Sequence, residues 1–126
     1  MTMKWSVLIT AVLCSLSLSA CSDRESLSPK DPAWDRDVCH RCQMMISDRN
    51  YSAQVINPAK GEHYFFDDLG CALNWLQETK PVWKNGALIY ANDARSGKWV
   101  DVRQGIIAVQ FVTPMSYGMG VFSKDT

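Results

Sequence analysis

Residues 67–79 limit the possible folds more than any other stretch. Asp67 and Asp68 offer N-cap and first-turn carboxylates, Leu69, Ala72, Leu73 and Leu76 recur at helical spacing, and Pro81 stands just past Thr79. This predicts an amphipathic helix over residues 68–79. Its flanks have a different period. Residues 51–56 alternate, with Tyr51, Ala53 and Val55 on one side, and Asn57-Pro58-Ala59-Lys60-Gly61 turns the chain toward His63-Tyr64-Phe65-Phe66, which reads as a hairpin. Residues 87–91 and 98–103 read as two more strands around a polar turn at 92–97. Residues 106–112 are apolar enough to be buried, but their period leaves strand and helix both open. Residues 113–120 form a turn rich in Gly and Met. One helix among short alternating strands makes the class α+β and mostly antiparallel.

The N-terminus sets the compartment. Met1 to Lys4 is a short basic region, residues 5–20 carry no charge, and Leu18-Ser19-Ala20-Cys21 places small residues before a cysteine. This reads as an export signal, too short and too abruptly ended for a membrane span. A small-residue site directly followed by Cys is the pattern of a bacterial lipoprotein, with Cys21 as the acylated first residue. Two or three acyl chains give stable anchoring at about 0.8 kcal/mol per buried methylene. The mature protein is therefore expected on the periplasmic side of a membrane, held by its lipid. Ser22 follows Cys21, and by analogy with Gram-negative sorting this favours the outer membrane. Residues 21–37 are polar, with Pro29 and Pro32, and read as a tether. Residues 38–126 are left for one small domain.

Charge excludes one class of partner. Lys and Arg together match Asp and Glu at 13 each, and only Lys4 leaves with the signal, so the mature chain is close to neutral. Nucleic acid is not an expected partner, because its footprint is clustered positive charge.

Val38-Cys39-His40-Arg41-Cys42-Gln43-Met44-Met45-Ile46 concentrates two thiols, an imidazole and two thioethers. Thiolate and thioether donors together suit Cu(I), whereas zinc sites favour Cys and His and seldom use Met. Cys42 and Met44 face the same way only if the segment is extended. Met45 would then take the other side as a packing residue. The bland alternative is a cysteine pair at a turn, with Met and Ile entering a core. Of five cysteines, Cys14 belongs to the signal and Cys21 to the lipid, leaving Cys39, Cys42 and Cys71. An odd number in an oxidising compartment leaves at least one thiol unpaired, which favours a ligand or redox role. Cys71 lies beside the helical stripe and is expected as a small buried hydrophobe. Helix capping accounts for Asp67 and Asp68 together. His63 reads as a half-buried ring on its strand, and His40 stays open between ligand and packing.

Cys39-His40-Arg41-Cys42-Gln43-Met44-Met45-Ile46, Phe66-Asp67-Asp68-Leu69-Gly70-Cys71 and Thr113-Pro114-Met115, in that order behind a lipoprotein signal, resemble the NosL-like lipoproteins. These are copper-binding accessory proteins of nitrous oxide reductase assembly. The resemblance spans residues 39 to about 122 and implies a small domain of two related ββαβ units. It implies Cu(I) held by Cys42 and Met44, with Met115 as a further ligand, and Cys39 and His40 within the same cluster. Family members continue with a helix and a last strand after the position of Phe122, so the second unit is expected to be truncated.

Two other readings remain. Cys39-His40-Arg41-Cys42 is a CxxC motif, as in thiol-disulfide oxidoreductases. There, however, the motif follows a buried apolar strand and opens a helix, while residues 33–37 are largely polar. A structural zinc site from Cys39, Cys42, Cys71 and His40 or His63 satisfies the ligand count and leaves Met44 and Met115 unused. The reading that uses most of these residues is a lipid-anchored Cu(I) metallochaperone, not an enzyme. It would pass copper to a cuproenzyme such as nitrous oxide reductase, or to its assembly machinery.

Overall fold

Strand β1 (Ala53–Ile56) is buried at every position, and the sheet is organised around it. It pairs antiparallel with β2 (His63–Phe66) on one side and β3 (Leu88–Asn92) on the other, and β4 (Trp99–Asp101) extends the sheet beyond β3. The register puts Ala53 opposite both Phe66 and Ala91, and Val55 opposite both Tyr64 and Ile89. Side chains alternate across a strand, so these six form one apolar face. Helix α1 (Leu69–Thr79) covers it with Leu69, Cys71, Ala72 and Leu76. Trp75 adds ring contacts to Tyr64 and Phe66, with centroids 4.8 and 5.5 Å away. The structure is a computed structural model and describes residues 27–125.

The helix begins and ends where its sequence signals place it. Asp68 is the N-cap and its side chain accepts from the Gly70 N–H at 3.2 Å. Lys80 closes the last turn in the left-handed region at φ 44°, and its N–H donates to the Leu76 carbonyl. Among the described residues, β1, β2, α1 and β3 make one complete ββαβ unit. The second half is different. The chain between residues 106 and 112, open to either state in the sequence, contributes strand β5 (Ile106–Ala108), which pairs with β6 (Gly120–Phe122) in a separate two-stranded sheet. A parallel bridge from Asp93 to Val121 ties that hairpin to the end of β3, and no second α-helix occurs among the described residues, only a short 3-10 turn at Lys84–Gly86.

The stretch expected to be a free tether is partly structured. Gln54, fully buried on the face of β1 away from α1, donates to the Lys30 carbonyl at 2.9 Å and accepts from the Lys30 N–H at 3.3 Å. Trp99 donates to Asp31, and Trp34 stacks on Trp99 at 6.5 Å. A polar side chain at the middle of a sheet must find partners, and here the backbone of the incoming chain supplies them. The packed domain therefore begins near Lys30 rather than at Val38. The stretch read as a signal peptide, Cys21 and the first residues of the stretch read as a tether lie outside the described residues. No described helix is long and apolar enough to cross a membrane.

Asp93 holds the two sheets together. Its buried carboxylate accepts from the N–H groups of Arg95 at 2.8 Å, Ser96 at 3.0 Å and Ser123 at 2.7 Å. Burial opposes its ionisation, but these backbone donors outweigh burial and hold the carboxyl below its usual range. A lowered folded pKa contributes stability that is fully present above the ordinary carboxylate pKa. That contribution is lost as the pH falls through the folded value, below about pH 4. Urea midpoints should therefore fall between pH 5 and pH 3, and the fall should be smaller in Asp93→Asn, which starts from a lower midpoint. Parallel curves for the two proteins would show that Asp93 is not the responsible group.

Candidate metal centre

Residues 37–46 form a narrow antiparallel loop whose tip carries the two cysteines. Ile46 N–H donates to the Asp37 carbonyl and Cys39 N–H to the Met44 carbonyl, at 2.9 and 2.8 Å, with a bridge between Val38 and Met45. Gln43 N–H turns back to the Cys39 carbonyl at 3.1 Å, and Gln43 itself sits at φ 66°. That left-handed residue between Cys42 and Met44 breaks the alternation an extended segment would have. The single-face pairing of these two residues therefore does not follow from strand geometry. Met45, expected as a packing residue, is 55% exposed, and Ile46 is the side chain that enters the core.

The loop is pinned to the end of β2. His40 N–H donates to the Phe65 carbonyl at 2.9 Å, and the His40 ring accepts from the Phe65 N–H through Nδ1 at 3.3 Å. This places the loop tip over the start of α1, because only Asp67 and the N-cap separate β2 from the helix. Sγ of Cys39, Cys42 and Cys71 and a carboxylate oxygen of Asp67 all lie within 4.8 Å of one another. Cys39, Cys71 and Asp67 are buried, Cys42 is partly exposed, and all three thiols are free. Cys42 N–H donates to Cys39 Sγ at 3.4 Å, and the Cys42 thiol donates to Asp67 at 3.3 Å.

Several acids in one dry space cannot all give up their protons. Burial, the Cys39 thiol and Asp67 push the Cys42 thiol up to about 12, against the pull of the Met44 N–H. Cys71 is pushed up as well, by burial first and then by Cys39, Cys42 and Asp67. A cation that replaces the protons removes this repulsion, so a cluster of this kind favours a metal over bare thiolates. The N-terminus of α1, with its partial positive charge, adds to the stabilisation of anionic donors there. The same shifts argue against a thiol-disulfide oxidoreductase, which needs an attacking cysteine of lowered pKa, commonly at a helix start. Here the CxxC sits in a turn and its exposed thiol is shifted the other way.

Of the residues singled out in the sequence, Cys39 and Cys42 meet in the cluster. His40 stands outside it, edge-on to Tyr64 with centroids 5.2 Å apart. His63 is on the opposite face of the sheet, bonded to Gln54 at 2.9 Å. Met44 and Met115 lie on two loops and are 57% and 36% exposed, and no contact joins either sulfur to the four clustered groups. The turn carrying Met115 is fastened to the N-cap of α1 by Asp68, whose Oδ2 accepts from the Met115 N–H at 2.9 Å and from Thr113 Oγ1 at 2.6 Å.

The structure adds Asp67 to the cluster and brings in Cys71, which the sequence offers as a ligand only under the zinc alternative. Asp67 was assigned to helix capping, but Asp68 alone caps, and Asp67 turns to the thiols. Cys71 was expected as a small hydrophobe; it is fully buried, as expected, and its sulfur faces Cys39 and Cys42 across the cluster. The odd thiol count was the signal that could have found it.

No protein-family model matches the sequence, and no curated protein matches it. In three dimensions the chain is similar to the copper chaperone NosL from Shewanella denitrificans. The TM-score is 0.63, covering 75% of this chain and 78% of that one at 15% identity. The family likeness read from the motifs therefore holds at the level of structure, and this chain has the NosL fold.

Proposed function

We propose that this protein is a Cu(I)-binding metallochaperone, anchored to a membrane through Cys21, that delivers copper for assembly of nitrous oxide reductase or a related cuproenzyme. The observation that carries the reading is the convergence of Cys39, Cys42, Cys71 and Asp67 at the start of α1. Three thiols at one point are a soft donor set, and soft donors select Cu(I). Thioethers from Met44, in the same loop, and from Met115, whose turn is fastened to the N-cap of α1, would complete a copper site in this reading. Copper here is cargo. Cys42 is the only partly exposed thiol of the cluster and would meet the ion first. An acceptor's sulfur or imidazole can bind the ion there before the buried thiols let go.

Asp67 favours a second reading, because three thiolates and a carboxylate are also an acceptable tetrahedral zinc set. One experiment separates the two. The chain from Ser22 onward is loaded with Cu(I) or Zn(II) under reducing conditions and titrated against chelators of known affinity. The expected result is about one Cu(I) per chain, with Met44→Leu and Met115→Leu weakening Cu(I) and leaving Zn(II) unchanged. Tight Zn(II) binding with no retention of Cu(I) would replace the copper reading by a structural zinc module.

A further inference from the structure

The 37–46 loop holds Cys39 and Cys42 within one tight turn. Gln43 N–H closes it on the Cys39 carbonyl at 3.1 Å, and Cys42 N–H donates to Cys39 Sγ at 3.4 Å, so the Cys39 sulfur rests against the backbone of Cys42. The sulfurs of the cluster lie within 4.8 Å of one another, and all three thiols are free. A disulfide is about 2 Å long, so the two sulfurs of the turn have no more than about 3 Å to travel. Cys71 is less well placed to compete. It is fully buried on α1, whose first turn is held by the Asp68 cap, whereas Cys42 is partly exposed and is where an oxidant arrives. In the oxidising compartment proposed for this chain, neighbouring cysteines become paired unless something occupies them.

We propose that Cys39 and Cys42 are a redox modification site: with no metal bound, a low-molecular-weight disulfide oxidises them to a Cys39–Cys42 bond that switches the cluster off. The inference rests on the metal-site reading above. The Cys42 sulfur attacks one sulfur of the oxidant, forming a mixed disulfide and releasing one half as a thiol. Cys39 then attacks the Cys42 sulfur and releases the other half. Two electrons pass to the oxidant, and the two cysteine protons end on the two released thiols. The cluster is left with Cys71 and Asp67, one soft donor where there were three. A metal ion ligated by both thiolates removes the nucleophiles, so loading and oxidation exclude each other. The raised Cys42 thiol makes the exchange slow, which suits a change of state and not catalytic turnover.

Trypsin cuts after Arg41, between the two cysteines, so a Cys39–Cys42 bond joins peptides 37–41 and 42–49 and is read directly by mass spectrometry. The full chain, freed of metal and kept anaerobic, is incubated with glutathione disulfide, alkylated and digested. The expected product is that joined pair, with Cys71 alkylated. Freed of oxidant, this form should bind Cu(I) more than about a hundredfold more weakly than the reduced chain and recover on reduction. The Cu(I)-loaded chain should cross-link at least about tenfold more slowly than the empty one. A chain that stays reduced, or one that links Cys71 instead, would overturn the inference. So would a cross-linked chain that still binds Cu(I) like the reduced one, or a loaded chain that cross-links as fast as the empty one. A reduced parent that takes up no Cu(I) overturns the metal-site reading, and the switch with it, before any oxidant is added.

Discussion

Replacing Cys71 with serine is expected to lower Cu(I) affinity by more than about a hundredfold, although the copper ligand set read from the sequence leaves this residue out. The expectation follows from position. Cys71 Sγ lies within 4.8 Å of the other donors, and its side chain has no exposure through which it could relax. A hydroxyl is a hard, weak donor to a soft ion. Loss of groups that only support a ligand already costs 10–100-fold, roughly, so loss of a ligand should exceed that. Cys42→Ser should do at least as much, because it also removes the exposed sulfur at which exchange begins. The discriminating comparison is Cys71→Ala. If Cys71 were only a packing residue, alanine and serine would both leave affinity near that of the parent and alter only stability. Chelator competition on the parent and these variants, with urea unfolding of the metal-free forms, separates ligand from packing.

The largest effect on the metal-free fold is expected at Asp68. Its carboxylate is fully buried, caps α1 through Gly70, and binds Thr113 Oγ1 and the Met115 N–H through the other oxygen. Asp68→Ala removes a cap, about 1 kcal/mol. It also removes two bonds to a charged acceptor, at roughly 1.5–3 kcal/mol each less whatever water recovers. A loss of about 3–5 kcal/mol is expected from urea unfolding at pH 7. Because Asp68 is what fastens the turn carrying Met115 and Tyr117 to the helix, the same variant should also free that turn. Hydrogen exchange at Met115 and Gly118 should therefore rise by more than the global loss of stability explains. Asp68→Asn keeps the shape and can still cap through its oxygen, so it should fall between the two. A change below about 1 kcal/mol in Asp68→Ala would mean that the turn is held by other contacts.

Much of the first ββαβ unit was legible along the chain because its signals are local. The Asp68 cap, the apolar stripe from Leu69 to Leu76 and Pro81 beyond the end act within a few residues of where they are read, and the helix runs as they indicate. The β1–β2 hairpin was equally readable from its alternation and its Asn-Pro turn. Residues 106–112 gave no period, and their state was settled by a partner: β6, ten or more residues on, supplies the hydrogen bonds that make β5 a strand. Gln54 shows the same limit from the other side. Its neighbours in sequence mark it as the solvent face of a strand, and only the return of residues 30–34 buries it.

The site divides along the same line. By itself the sequence determined which donor chemistry was present: two cysteines and flanking methionines in one loop, an unpaired third thiol, and the order of motifs that the NosL likeness rests on. It also placed Asp67 and Cys71 at the head of the helix. Tertiary structure alone decided which of these residues meet. The His40 backbone contact to Phe65 sets the 37–46 loop against the end of β2, and that contact brings Asp67 and Cys71 to the cysteine pair. The left-handed Gln43 undoes the strand geometry by which Met44 would share a face with Cys42. A side chain's chemistry is a property of its residue, but a coordination site is a set of distances. Here those distances are set by hydrogen bonds between residues 25 to 76 positions apart.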